Sequence, residues 1–142
     1  MTSTIPVAVL TSANSPVEAM VTRLAEKVAS VEVSLWARSW NDIAETATHP
    51  AFLVILDAEF DEFDTAEQVK ELRAIGSRVI VVRGSDAPKE VLRDMAAGAE
   101  ASMLLSKSSR RLASQVRLSA GRAALIAQRS ADLSDDSRAR PF

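Results

Sequence analysis

Strand-like and helix-like segments alternate five times along this chain, and they predict an α/β protein built on a doubly wound, five-stranded parallel sheet. Three observations carry that expectation. Phe52-Leu53-Val54-Ile55-Leu56 and Val79–Val82 are short apolar runs rich in branched residues, the mark of strands buried on both faces. Amphipathic helical spacing returns after each strand. Strict alternation with right-handed crossovers leaves few topologies, and five strands favour the order 2-1-3-4-5.

Each element has a local reason. Ile5 to Leu10 is apolar and stops at Thr11-Ser12-Ala13-Asn14, a loop. Ser15-Pro16-Val17-Glu18 has capping-box spacing with proline at the first helical position. Val17, Met20, Val21, Leu24 and Val28 continue that helix on one face. Val31, Val33 and Leu35 alternate with Glu32 and Ser34, so strand two is half-buried and near an edge. Ser39 to Thr48 reads as a short helix stopped by His49-Pro50, because the residue before proline avoids the helical region. Asp64-Thr65-Ala66-Glu67 caps a third helix with Val69, Leu72 and Ile75 inward and Gly76 as its stop. Asp86 or Ala87-Pro88 opens a fourth through Val91, Leu92 and Met95, closed by Gly98. Ser102–Leu105 is a short strand. Ser108 or Ser109 caps a last helix with Leu112, Val116, Leu118, Leu125 and Ile126. Residues 1–129 form one domain, and 130–142 read as linker or disordered tail.

Composition narrows the function classes. The chain has 142 residues, 47% of them apolar, enough for one packed core. There is no cysteine and one histidine, His49, which excludes disulfides, thiolate chemistry and an ordinary transition-metal site. The four glycines are not clustered, so neither a dinucleotide fingerprint nor a Walker A loop is present. No apolar run reaches a membrane span and the N-terminus has no signal-peptide pattern, so a cytoplasmic, non-membrane location is expected. The net charge of −2 hides a split: +6 between Lys107 and Arg129, −1 in the tail, and therefore −7 over residues 1–106. That split fits a charge-guided contact or, equally, a solvated helix face.

Asp57 closes the central strand, at the sheet end where open α/β folds build their sites. It also begins an acidic run with Glu59, Asp61, Glu62 and Asp64. That run lacks the calcium-loop glycine and final glutamate, so a solvated loop is the better reading than a cation site. Trp36 and Trp40 read as packing for the short second helix, with a partner-facing anchor as the alternative.

Three segments carry a resemblance. Pro50 through Asp57, Ser77 through Val82, and Met95-Ala96-Ala97-Gly98-Ala99-Glu100-Ala101-Ser102-Met103-Leu104-Leu105 resemble strands three, four and five of the receiver (CheY-like) domains of bacterial two-component response regulators. The Ala-Gly-Ala segment is most similar to regulators that carry a C-terminal helix-turn-helix, the LuxR/NarL type. The resemblance spans about residues 5–128. It implies a flavodoxin-like receiver fold, makes Asp57 the phospho-acceptor candidate, and implies Mg²⁺ beside it.

The departures from the family pattern are specific. Ala13 and Asn14 stand where the family has two acidic metal ligands. Arg83, followed by Gly84, stands where it has Thr or Ser. Leu105 takes the place of its strand-five lysine, with Lys107 two residues late, and Ser102 that of its aromatic switch. Phosphoryl transfer to a carboxylate needs a metal and a cation to neutralise the oxygens, so the expectation is a degenerate receiver without a cofactor. Arg83 either forks onto Asp57 and replaces that charge, or points to solvent while loop amides satisfy Asp57.

The expected function is signalling by protein contact and homodimerisation within a bacterial transcriptional regulator, not enzymatic catalysis. Arg110, Arg111, Leu112, Val116, Arg117 and Leu118 on the last helix are the interface candidates. A histidine kinase or another signalling protein is a possible partner, and DNA is expected only through a module outside these residues, the chain being read as a fragment cut at a linker. The alternative is a conventional phospho-accepting receiver using Asp57, Lys107 and Mg²⁺. A small flavodoxin-like enzyme is a third class, for which no residues equip a pocket.

Overall fold

In a computed structural model of the chain, residues 5–28, 31–42, 53–59, 64–84, 88–104 and 111–119 are described. Strands β1 (Ile5–Leu10), β2 (Val31–Ala37), β3 (Leu53–Asp57), β4 (Arg78–Arg83) and β5 (Ala101–Leu104) form one sheet in the order β2-β1-β3-β4-β5, every pair parallel. The expected doubly wound α/β fold is the observed one. The central strands are the most buried, as continuous apolar runs require: all of β3 is buried, and so are Val79–Val82 of β4. β3 runs one residue further than expected, taking in Asp57, and β5 begins one residue earlier, at Ala101.

β2 is the edge strand that its alternation predicts. Its pairing with β1 slips between Val7 and Ala8, leaving Ser34 out of register, and the Ser34 hydroxyl donates to the Val7 carbonyl at 3.3 Å.

The helices are set by their caps. In α1 (Pro16–Lys27), Ser15 Oγ accepts from the Glu18 N–H at 3.1 Å with proline at the helix start. The other half of the capping box is displaced: Glu18 Oε2 accepts from the Asn14 N–H at 3.1 Å rather than from Ser15. In α2 (Thr65–Ala74), Asp64 Oδ1 accepts from the Ala66 N–H at 2.9 Å. The α2 and α3 (Pro88–Ala97) helices both end in a glycine at positive φ, Gly76 at 91° and Gly98 at 112°. A Cβ at Gly98 would also sit 3.2 Å from Cγ of Arg73, so the turn after α3 packs closely on α2. Residues 111–119 form the described part of the last helix, α4.

Two apolar layers flank the sheet. Val7, Val9, Ile55, Ile80 and Val82 pack against α1 and against Leu112, Ala113 and Val116 of α4. Ala8, Leu10, Val54, Leu56, Val79 and Val81 pack against Val69 and Leu72 of α2. The two tryptophans divide between these layers, Trp36 partly buried against the first and Trp40 against the second. Residues 40–42 start the short helix expected after β2, and the rest of it, with His49, lies outside the described residues.

α3 turns differently from its expected register. Leu92 and Met95 are exposed (69% and 44%), and Asp94 is the residue buried completely. Leu112 and Val116, expected at an interface, are at 0% exposure. They lie one turn apart on the stripe of α4 that covers the sheet, so the core takes them.

Candidate functional site

β1, β3 and β4 end together, and Asp57 is the last residue of the middle one, opposite Val82. Ala58 extends the ladder to β4 by one bond, its N–H donating to the Val82 carbonyl at 2.9 Å, before the chain turns. This folds Asp57 inward to 3% exposure and lets Asp57 Oδ1 accept from the Glu59 N–H at 2.9 Å. A buried carboxylate needs further donors. The second comes from the end of β1: Thr11 Oγ1 donates to Asp57 Oδ2 at 2.6 Å.

The Thr11 hydroxyl is itself part of a chain. It lies 2.6 Å from Ser15 Oγ. Thr11 has one hydroxyl proton and gives it to Asp57, so Ser15 is the donor to Thr11. Ser15 in turn accepts from the Glu18 N–H inside the first turn of α1. A row of aligned donors thus runs from the positive end of α1 to the Asp57 carboxylate, and each bond polarises the next. The backbone holds this row in place: the Thr11 N–H donates to the Ala37 carbonyl at 3.2 Å, and Arg38 Nη1 donates to the Thr11 carbonyl, also at 3.2 Å.

These contacts correct the expected neighbours. Neither Ala13 nor Asn14 hydrogen-bonds Asp57; the strand register brings Thr11 there instead, and Asn14 sits at a φ of 61° in the turn that delivers Ser15 to its cap position. Loop donation to Asp57 was one of the two expected arrangements, and the Glu59 amide is the observed case.

The Mg²⁺ that the receiver resemblance implies does not fit this donor set. Magnesium leans on hard, anionic oxygens in a near-octahedral shell. Asp57 brings one carboxylate, both of whose oxygens already accept hydrogen bonds, and its Thr11 neighbour is neutral. The Glu59 carboxylate lies against Gly84, 3.2 Å from where a Cβ would stand, so the missing side chain at Gly84 makes its room. Among the described residues no three His, Cys, Asp or Glu side chains group to hold an ion. The acidic run is divided accordingly: Asp57 is buried, Asp64 caps α2, and Asp61 and Glu62 lie outside the described residues.

Arg83 neither forks onto Asp57 nor extends into solvent. Its Nε and Nη2 donate to Oδ2 and Oδ1 of Asp94, each at 2.7 Å, a bidentate pair with the inner face of α3. Ser102 Oγ adds a donor to Asp94 Oδ2 at 2.8 Å. Asp94 is fully buried and the Arg83 side chain is 11% exposed. The bonds to Asp94, against the opposing effect of burial, raise the Arg83 pKa above its ordinary value, with Glu90 and Glu59 helping. Asp94 wins over Asp57 because Asp57 already accepts from Thr11 and the Glu59 amide, while Asp94 stands on a helix that packs directly on β5.

Leu105, Lys107 and Arg110 lie outside the described residues. Arg111, Arg117 and Leu118 are exposed on α4. Sequence reasoning missed Thr11, Ser15 as a relay, and Asp94. Thr11 carried a signal, being the first polar residue after β1, level with the end of β3. Asp94 carried one too, an acid in a helix whose spacing permits either it or Met95 to face the sheet.

Comparison with protein-family models and with curated proteins gives no match. Solved structures do match. The signal receiver domain of the putative response regulator NarL from Mycobacterium tuberculosis superposes with a TM-score of 0.70 at 20% identity, over 84% of this chain and 98% of that one. A DNA-binding response regulator of the LuxR family from Staphylococcus aureus gives 0.68 at 19% identity, over 82% and 98%. A CheY-like receiver domain protein from Methanospirillum hungatei JF-1 gives 0.70 at 15%, over 87% and 99%. With its parallel sheet in the order 2-1-3-4-5 and helices on both faces, the chain has the fold of response-regulator receiver domains.

Proposed function

We propose that this chain is a receiver-like signalling domain of a bacterial transcriptional regulator, acting by protein contact and dimerisation rather than by ordinary phosphorylation of Asp57. The observation that carries the reading is the occupant beside Asp57. Thr11 supplies a neutral hydroxyl donor at 2.6 Å where metal-assisted phosphoryl transfer needs anionic ligands. The domain is then not an enzyme. Its cytoplasmic setting and a signalling partner, a histidine kinase or another protein, are part of the same reading, and DNA contact belongs to a separate module. Dimerisation uses the last helix, on which Leu118 is exposed with Arg111 and Arg117 beside it. Light scattering at high concentration should give twice the chain mass; a monomer there removes the dimer.

One observation favours a second reading. Asp57 stands at the carboxyl end of the central strand, where a conventional phospho-accepting receiver holds its acid. Beryllofluoride with Mg²⁺, followed by amide NMR, separates the two. The contact reading expects no shift at Asp57, Ala58 or Glu59. Saturable shifts there establish the conventional reading, with Lys107 as the cation to test.

A further inference from the structure

α3 is joined to the sheet through a buried charge. Its inner face presents Asp94, at 0% exposure, to Arg83 at the end of β4 and to Ser102 in β5. All three bonds lie at or under 2.8 Å and converge on the two oxygens of one carboxylate. The fork fixes angle as well as distance, because a planar guanidinium meets both oxygens in one orientation only.

The rest of α3 is braced independently. After Gly98, the Ala99 N–H reaches back to the Asp94 carbonyl at 3.1 Å and the Glu100 N–H donates to the Val79 carbonyl at 2.8 Å. Arg78, at the start of β4, pairs with the Glu100 side chain. On the outer side, Arg93 Nη2 reaches Asp64 Oδ2 at 3.1 Å, tying α3 to the start of α2. A shift of α3 along or around its axis separates Asp94 from Arg83 and breaks the charged hydrogen bonds its carboxylate accepts. Packed elements held in this way move between discrete arrangements or not at all.

We infer that Arg83, Asp94 and Ser102 form a clamp that holds α3 in one position on β4 and β5, so that Leu92 and Met95 are presented constantly, whatever happens at Asp57. The clamp rests on the proposed function for its biological meaning, since a domain that signals by standing contact needs a surface that does not switch. Its physical content is independent: Asp94 shares no hydrogen bond with Asp57, Thr11 or Ser15.

Amide hydrogen exchange on the full chain tests it, compared across wild type, Arg83→Gln and Ser102→Ala. Arg83→Gln should lower protection of the α3 amides by roughly 10- to 100-fold beyond any drop shared with α1, the loss of one or two charged hydrogen bonds. Ser102→Ala, which leaves the ion pair intact and keeps the domain folded, should lower it by about 3- to 10-fold on the same scale. A uniform drop across all elements, or no drop in α3 for Ser102→Ala, overturns the clamp. Beryllofluoride with Mg²⁺ on the wild type supplies the second arm. Shifts at Asp57 with α3 silent sink the contact-only function and leave the clamp standing. Shifts that spread through Val91, Leu92 and Met95 sink the clamp. Silence at both places supports both.

Discussion

The Arg83–Asp94 pair should show strongly asymmetric single-mutant costs and near cancellation in the double mutant. Arg83→Leu leaves Asp94, with no solvent exposure, holding a charge supported by Ser102 alone. That is an uncompensated buried ion, and the expected loss is about 4–5 kcal/mol. Asp94→Leu leaves Arg83, which keeps some solvent contact and has Glu90 Oε2 within 4.0 Å. Partial hydration and that second carboxylate hold its cost to about 3 kcal/mol, the lower end for a broken buried pair. Replacing both by leucine removes the desolvated charges together, so the double mutant should fall within about 1 kcal/mol of wild type. With a urea m-value of about 2 kcal/mol/M for a domain of this size, the midpoints drop by about 2–2.5 M, about 1.5 M and at most about 0.5 M respectively. The raised pKa of Arg83 fixes the pH window. Its contribution is complete below the ordinary arginine value and fades only as pH rises past the raised folded one, so the guanidinium stays charged across the ordinary range. Urea melts followed by far-UV circular dichroism supply the four numbers. A double mutant no more stable than the weaker single, or singles each under about 0.5 kcal/mol, refutes the reasoning.

Gln68→Leu should stabilise the domain. Gln68 is 2% exposed and neither its amide nitrogen nor its oxygen has a partner among the described residues, so a residue of similar size without those atoms gains about 1 kcal/mol and raises the urea midpoint by about 0.5 M. A fall of similar size would show that a bound water completes the amide. Asp64→Ala should weaken the fold at neutral pH and matter less in acid. Desolvation, the largest single effect, raises the Asp64 pKa, but the Ala66 N–H, the Arg93 charge and the Glu67 N–H together outweigh it and leave the pKa below 3.8. A depressed carboxylate contributes above its unfolded value and loses that contribution as pH falls through the folded one, so the gap between wild type and variant should close below pH 3.8. Added salt should weaken only the Arg93 part, and a gap that does not change with pH contradicts the capping role.

The sheet was legible because its physics is local and repetitive. A run such as Leu53-Val54-Ile55-Leu56 has no face to offer water, so it goes to the middle of a parallel sheet, and Val31–Leu35, alternating, goes to the edge. Caps were legible for the same reason, Ser15 and Asp64 each satisfying an amide two or three residues away. The site was only half legible. Asp57 announces itself by ending an apolar run, but its partners are chosen across the sheet by register. Leu10 pairs with Leu56, so the residue after β1 that meets Asp57 is Thr11, and no local signal separates it from Ser12 or Asn14. α3 failed for a related reason. Its spacing allows Met95 or Asp94 to face inward, and apolar pattern favours Met95. The choice is made by Arg83 on β4, a cation that must be met before it can be buried.

That choice links the Asp57 end of the site to the Arg83–Asp94 pair. Asp57 keeps a charge with hydroxyl and amide donors, and so it needs no cation from β4. Arg83 is therefore released to pair elsewhere, and Asp94 takes it. Had Thr11 been a carboxylate, two anions would lie within hydrogen-bond reach at the end of β3. The lower-energy arrangement would then draw a metal, or Arg83 itself, toward Asp57 and leave Asp94 exposed to a heavy desolvation penalty. On this argument Thr11 and Asp94 are a matched set. Thr11→Asp should lower stability through like-charge repulsion with Asp57, and millimolar Mg²⁺ should restore it. Magnesium that restores nothing would mean that the strand ends cannot assemble an ion site even when a second carboxylate is supplied.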